Sequence, residues 1–446
     1  TDLGEGRVRL VAELAFPLVQ KLVAQDVAYS VTGTIHDFRS DRLVAGRSIT
    51  AADLAVTVTP AGMAVSGNGR FGSLPVTARW TQDFGAEAKG RSKVTGTAQI
   101  SADRLADLGV TLPAGWLSGE AAAEFDLKLA KDAPGEIVLT SALTGMRLSV
   151  PQLFWSKAAG TAAKLRLAAR LGARPEVTAL VLTAPGLVAE GRITTKSGGG
   201  LDLASFSRLQ AGSWFDAPVQ VKGLGKGRIG VAITGGTIDL RALPKSSSGA
   251  STAAGGAVEV QLDRLIVSSG IALTGLSGSF RPSGGGLDGR FVAAVNGAGR
   301  VSGTTVPWQG GTAVRLTSTD AGRVLAAAGV FTKARGGTLD LTLQPAGAGR
   351  YAGVATLKSF SVQDAPALAA MLSAASVIGL LEQLNGQGIL FQDGDVAFEI
   401  RPEGVEITRG AAIGASMGIS FSGLYRAKSG TMDIQGTISP IYLLNG

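Results

Sequence analysis

Val258-Glu259-Val260-Gln261-Leu262-Asp263 decides how the rest of the chain is read. Aliphatic and polar residues alternate one for one, so an extended backbone puts Val258, Val260 and Leu262 on one side and Glu259, Gln261 and Asp263 on the other. The same two-residue period returns throughout the chain. Leu339, Leu341 and Leu343 alternate with Asp340 and Thr342; Val396, Phe398 and Ile400 alternate with Ala397, Glu399 and Arg401. Met417, Ile419 and Phe421 alternate with Gly418 and Ser420, and Ile434 and Ile438 continue the pattern near the end. Further upstream the apolar sets are Ile229, Val231 and Ile233, then Val76, Ala78 and Trp80, then Ala123, Phe125, Leu127 and Leu129.

Turn clusters such as Arg281-Pro282-Ser283-Gly284-Gly285-Gly286 and Ala427-Lys428-Ser429-Gly430 separate these runs and join neighbours most simply as antiparallel hairpins. On the order of two dozen strands can be marked, and at about 4.8 Å each they would extend about 115 Å. A sheet that wide is expected to coil or curl. The expected fold is therefore all-β: a long curled antiparallel meander forming an elongated hydrophobic groove, with a few short helices. The stretch from Pro244 to Gly256, rich in Ser, Gly and Ala, reads as a flexible loop and gives the one soft boundary. It divides the groove into an N-terminal part, residues 1–243, and a C-terminal part, residues 257–446.

Helix signals are sparse. Asp320 is an N-cap for a short helix ending at Gly329, and a similar turn covers Ala102 to Leu108. The strongest signal starts at Asp364, with Pro366 in the first turn, and closes at Asn385-Gly386, giving a helical segment over 364–385. Its apolar residues are Leu368, Met371, Leu372, Ile378 and Leu381. Residues 365–381 carry no charge, which sits at the lower limit for a bilayer of about 30 Å. Their Ala, Ser and Gly content favours a helix over the sheet edge or groove mouth, with a membrane or partner contact as the alternative.

Composition narrows the chemistry. Gly accounts for 64 of 446 residues and Pro for only 16, which points to tight turns and bulges rather than a disordered linker or collagen. Aromatics are 5% against 45% hydrophobic, so the apolar surface is aliphatic and smooth. The net charge of +8 is dispersed, without the cationic block of a nucleic-acid arm. Cys is absent and His36 is the single imidazole, so thiolate catalysis, zinc-thiolate sites and multi-histidine metal sites are excluded and no cofactor is expected.

Two motifs match catalytic patterns in letters alone. Gly67-Asn68-Gly69-Arg70-Phe71-Gly72 spells the dinucleotide fingerprint, but Ser73-Leu74-Pro75 leads into a strand where a helix N-terminus is required. Gly414-Ala415-Ser416-Met417-Gly418 spells a nucleophile elbow, but Ser416 sits in continuing β alternation. The expectation is a binding or structural surface, not an enzyme. Thr1-Asp2-Leu3 enters in mid-pattern without Met, as in a piece of a longer protein.

Several stretches resemble one family in order: Trp155-Ser156-Lys157, Leu262-Asp263-Arg264-Leu265, Val295-Asn296-Gly297, Leu339-Asp340-Leu341-Thr342-Leu343, Leu384-Asn385-Gly386-Gln387-Gly388-Ile389 and the closing Gly436 to Asn445. Together they resemble the AsmA-like C-terminal region of the YhdP branch, related to TamB and to bridge-like lipid transfer proteins. The resemblance covers most of the chain and implies a non-enzymatic periplasmic groove, anchored to the inner membrane through a segment outside this sequence. In such a groove phospholipid acyl chains pass between the inner and outer membranes of a Gram-negative envelope. Protein partners would sit at the ends, and nucleic acid has no role. The fourteen wall residues expected on this basis are the C-terminal sets Val258, Val260, Leu262; Leu339, Leu341, Leu343; Val396, Phe398, Ile400; Met417, Ile419, Phe421; and Ile434 with Ile438. The competing reading is a structural scaffold or an outer-membrane assembly factor that binds protein, in which the same side chains form a closed core.

Overall fold

A computed structural model describes residues 3–18, 27–44, 46–225, 228–244, 256–283, 285–309, 311–347, 350–364, 388–401, 404–415, 417–426 and 431–440. The helical segment with Leu368, Met371, Leu372, Ile378 and Leu381, most of the Ser/Gly-rich loop, Ser416 and the last six residues lie outside the described residues. Among those described there are 28 strands and two α-helices. The fold is all-β, as the alternation dictates.

Residues fall into two compact units, the first running to Gly212 together with Gln220–Gly225, the second comprising Ser213–Val219 and the described chain from Arg228 onward. The first unit opens with β1 (Glu5–Ala15), β2 (Ala28–Val44), β3 (Arg47–Thr59), β4 (Gly62–Phe71), β5 (Leu74–Asp83) and β6 (Ser92–Ser101). A single-turn helix α1 (Ala102–Asp107), capped by the Ser101 hydroxyl on Arg104 N–H, leads to β7 (Leu117–Ala130) and β8 (Ala133–Ser141). A hairpin of β9 (Met146–Val150) and β10 (Trp155–Lys157) then intervenes, followed by β11 (Lys164–Arg170), β12 (Glu176–Ala184), β13 (Leu187–Thr195) and β14 (Leu201–Ala211).

Pairing follows chain order with one skip. β8 pairs with β11, while β9 leaves the meander and pairs with the start of β7 through Leu117↔Leu148 and Gly119↔Met146. Residues paired across antiparallel strands point to the same side. Successive registers therefore align Leu10, Gly33, Val56, Val65, Trp80, Val94, Leu127, Ile137 and Ala169 in one transverse row on one face.

After β15 (Phe215–Gly225), the second unit contains β16 (Arg228–Thr234), β17 (Thr237–Asp239), β18 (Val258–Ile266), β19 (Ala272–Ser283), β20 (Gly286–Val295), β21 (Gly299–Trp308) and β22 (Gly311–Ser318). Helix α2 (Ala321–Ala327) follows, then β23 (Ala334–Pro345), β24 (Tyr351–Val362), β25 (Ile389–Arg401), β26 (Gly404–Ile413), β27 (Met417–Arg426) and β28 (Thr431–Pro440). Asp320 accepts from the Arg323 N–H at 2.9 Å and Gly329 takes φ +68, so α2 starts and stops where its sequence signals lie.

From β18 to β28 every strand pairs antiparallel with its successor. One departure corrects the expectation of hairpins throughout: β16 and β17 run parallel to β18, through Val231↔Val258 and Ile238↔Leu265. A parallel neighbour needs a crossover of a dozen or more residues, and residues 240–257 supply that length.

Candidate functional site

The register of the second unit fixes where each of the fourteen expected wall residues stands. A row nearest α2 holds Leu262, Leu339, Ile419 and Ile438, with Met417 one position beyond it. The next row runs Val260, Gly278, Phe291, Gly303, Leu316, Leu341, Ala355, Val396, Gly410, Phe421 and Gly436, crossing β18 to β28 without a break. A third row holds Val258, Leu343, Phe398 and Ile434, and Ile400 lies one row further toward the hairpin turns. All fourteen therefore share one face.

That face is not uniform. At the α2 end, Leu262 is 4% exposed, Leu339 5% and Met417 1%, and with Val260 they belong to a closed core that includes Val324 of α2. α2 packs on β21, β23 and β24 and buries Ala321, Gly322 and Val324 there. The Phe360 and Phe391 rings stack 5.3 Å apart in the same band. Ile419 and Ile438 of the row nearest α2, and Val258 and Leu341 in the rows beyond, are half-buried against that core; Leu343, Val396, Phe398, Ile400 and Phe421 are half-buried as well, and Ile434 is exposed. The protein's own side chains close one band of the face and leave the other half-open.

Glycine lets the phenylalanine rings of this face lie flat, in the closed band at Phe291 and in the half-open band at Phe398 and Phe421. Gly303 pairs with Phe291, Gly353 with Phe398 and Gly410 with Phe421. A Cβ at these glycines would fall 2.2, 2.3 and 2.4 Å from the respective ring, so each ring lies down over its partner's bare backbone. The rings then add apolar area without standing up from the sheet. Sequence inspection sees only an excess of glycine, because which glycine meets which phenylalanine is set by the register of the paired strands.

The opposite face is mostly polar, with Val292, Val306 and Val354 exposed among its polar residues. Glu259, Ser279, Arg290, Thr304, Arg315 and Thr342 form one of its rows. The Ser279 hydroxyl donates to Glu259 at 2.7 Å, and Arg315 Nε donates to Asp340 at 2.9 Å. The Arg315 guanidinium holds the Asp340 carboxyl below its usual range. Near the crossover, the Arg241 hydrogen bond lowers Asp239 to about 2.

The motif residues take structural roles. Gly67 and Gly69 lie within β4, and Gly72 at φ +61 turns the hairpin into β5, so no helix N-terminus faces the loop. His36 Nδ1 sits 2.6 Å from Asp53 Oδ1 in a solvent-exposed cross-strand pair. Among the described residues no group of His, Asp and Glu could hold a metal ion, and no helix is long and apolar enough to cross a membrane.

Sequence reasoning missed one site in the first unit. The Lys157 side chain, 3% exposed, donates to the carbonyls of Leu143 (2.9 Å), Met146 (2.8 Å), Ala158 (3.1 Å) and Thr161 (2.6 Å). Burial pushes its pKa down from the usual lysine range. Trp155 Nε1–H, in the same strand, donates to Pro185 O at 2.8 Å. The ammonium thus fastens the β9–β10 hairpin from inside, and a single lysine after a tryptophan gives no sign of it in sequence.

No family model, curated protein or solved structure matches the chain.

Proposed function

We propose that this chain is a non-enzymatic lipid carrier of the AsmA-like kind, binding phospholipid acyl chains on the half-open aliphatic band and passing them between the inner and outer membranes of a Gram-negative envelope. The observation that carries the reading is the unbroken row from Val260 to Gly436: eleven consecutive strands, β18 to β28, contribute apolar or glycine positions to one line, which starts in the closed core at Val260 and Phe291 and is half-buried at Leu316, Leu341, Ala355, Val396 and Phe421. Each CH₂ transferred from water to such a surface contributes about 0.8 kcal/mol. A repetitive wall holds an alkyl chain about equally well at successive positions, which permits movement along it. The phosphate stays in water and avoids the cost of unpaired burial. In this reading the protein works in the periplasm, anchored to the inner membrane.

The second reading is a scaffold that holds protein, and the closed band around Leu262, Leu339 and Met417 favours it, since that part of the face already has a covering. Mass spectrometry of organic extracts from the gently purified chain separates the two. Stoichiometric phospholipid is expected; extracts free of lipid, with the chain folded, would leave the scaffold.

A further inference from the structure

The aliphatic face of the second unit ends, toward its hairpin turns, in a row unlike those behind it. Tyr351 pairs with Ile400, Ile400 with Val405, Val405 with Tyr425, and Tyr425 with Met432. Both tyrosines are half-buried, and neither phenol has a hydrogen-bond partner among the described residues. Neither hydroxyl is a buried unsatisfied group, so each reaches solvent. A tyrosine with its ring on an apolar surface and its O–H in water marks a boundary between oily and wet surroundings. The first unit repeats the device: Tyr29 pairs with Leu14 and shares a face with Val31 and Ile35, at the end of β2 away from buried Ser40. The chain has four tyrosines, and the three that are described all occupy such positions.

We infer that the Tyr351–Tyr425 row fixes the direction in which a glycerophospholipid lies: ester and phosphate oxygens at the hairpin rim, accepting from the phenols, and acyl chains running along the strands toward α2. This rests on the lipid-carrying reading. The dimensions agree with it. From Val396 to Ile400 the half-open band covers four residue steps, about 14 Å, close to the roughly 15 Å of hydrocarbon in one leaflet of a 30 Å bilayer core. Beyond it the closed core around Leu357 and Phe391 stops the chain ends.

The test places a photoreactive benzoylphenylalanine at Tyr425 in one variant and at Val396 in another, in the full chain loaded from palmitoyl-oleoyl phosphatidylglycerol vesicles. Tandem mass spectrometry then locates each adduct on the lipid. Attachment in the glycerol and ester region from position 425, and in the distal half of the acyl chains from position 396, is the expected result. The reverse order, or the same distribution from both positions, overturns the direction while leaving lipid binding intact. Adducts from neither position overturn lipid binding itself. In parallel, the double variant Tyr351→Phe with Tyr425→Phe keeps both rings and removes both hydroxyls. It should lower phospholipid retention roughly tenfold, from two hydrogen bonds of about 0.7 kcal/mol each; unchanged retention would also overturn the proposal.

Discussion

In each unit an insertion interrupts the run of strands, and the two insertions are held by opposite chemistry. In the second, α2 lies between β22 and β23 and covers the sheet with Ala321 and Val324, an ordinary apolar closure. In the first, the β9–β10 hairpin lies between β8 and β11, and its centre is a buried ammonium on four carbonyls without a carboxylate among them. The difference teaches where each unit is vulnerable. An apolar cover loosens by degrees as methylenes are removed, whereas a caged charge is held by all its partners together and fails sharply when it is lost.

The largest expected effect follows from that contrast. Lys157→Met keeps the length of the side chain but removes the donor shared by four carbonyls, of which Leu143 O and Ala158 O also accept a turn N–H, from Met146 and Thr161, and should cost on the order of 3 kcal/mol. Hydrogen exchange should show the loss concentrated in residues 142–163, with the second unit unchanged. A variant as stable as the parent would mean that desolvation of the ammonium already offsets its hydrogen bonds to the surrounding carbonyls. The pH response has a definite sign. Because burial lowers the folded-state pKa of Lys157 below the unfolded value of about 10.4, the first unit should gain stability as pH rises between those two values.

A smaller effect is expected on the half-open band of the second unit. Gly353→Ala puts a methyl where the Phe398 ring lies, forcing the ring up and costing about 1–3 kcal/mol in chemical denaturation. Gly72→Ala, at a hairpin turn with φ +61 and open space around the added methyl, serves as the control for backbone strain alone. Equal losses at the two positions would remove the ring-over-glycine argument. Asp320→Ala, which deletes the cap of α2, should cost about 1 kcal/mol, read as a shift in midpoint with unchanged slope. The smallest effect is acidic. Asp239 and Asp340 have depressed folded-state values, so their contribution is present above about pH 4 and is lost as pH falls, in the case of Asp239 through about 2.

Much of this architecture is legible in sequence because a period of two has only one structural meaning when it is sustained. The alternation in Val258 to Asp263 and in Val396 to Arg401 defines two faces before any pairing is known. What alternation cannot supply is the continuity of a face across a residue of positive φ. In β24, Leu357 and Phe360 differ in parity but join the same core, because Ser359 at φ +54, opposite Gly337 at φ +75, resets the pleat. The parallel pairing of β16 and β17 with β18 was equally hidden, since it depends on where a long crossover returns. The caged Lys157 and the paired Gly–Phe positions depend on turn geometry and strand register, and neither residue type carries a local signature of such a role.

The central claim is that the half-open band, and not the polar face behind it, is the surface that meets alkyl chains. Ile400 and Val354 test it within one sheet. Ile400 lies on the aliphatic face, while Val354, 54% exposed and adjacent to Gly353, points to the other side. Val354 is a cleaner control than Arg401, which is engaged by Glu399 and Glu406. Native mass spectrometry of Ile400→Glu and Val354→Glu after loading from phosphatidylglycerol vesicles should show phospholipid occupancy falling severalfold in the first and holding at the parental level in the second. Equal occupancy in the two variants would contradict the account.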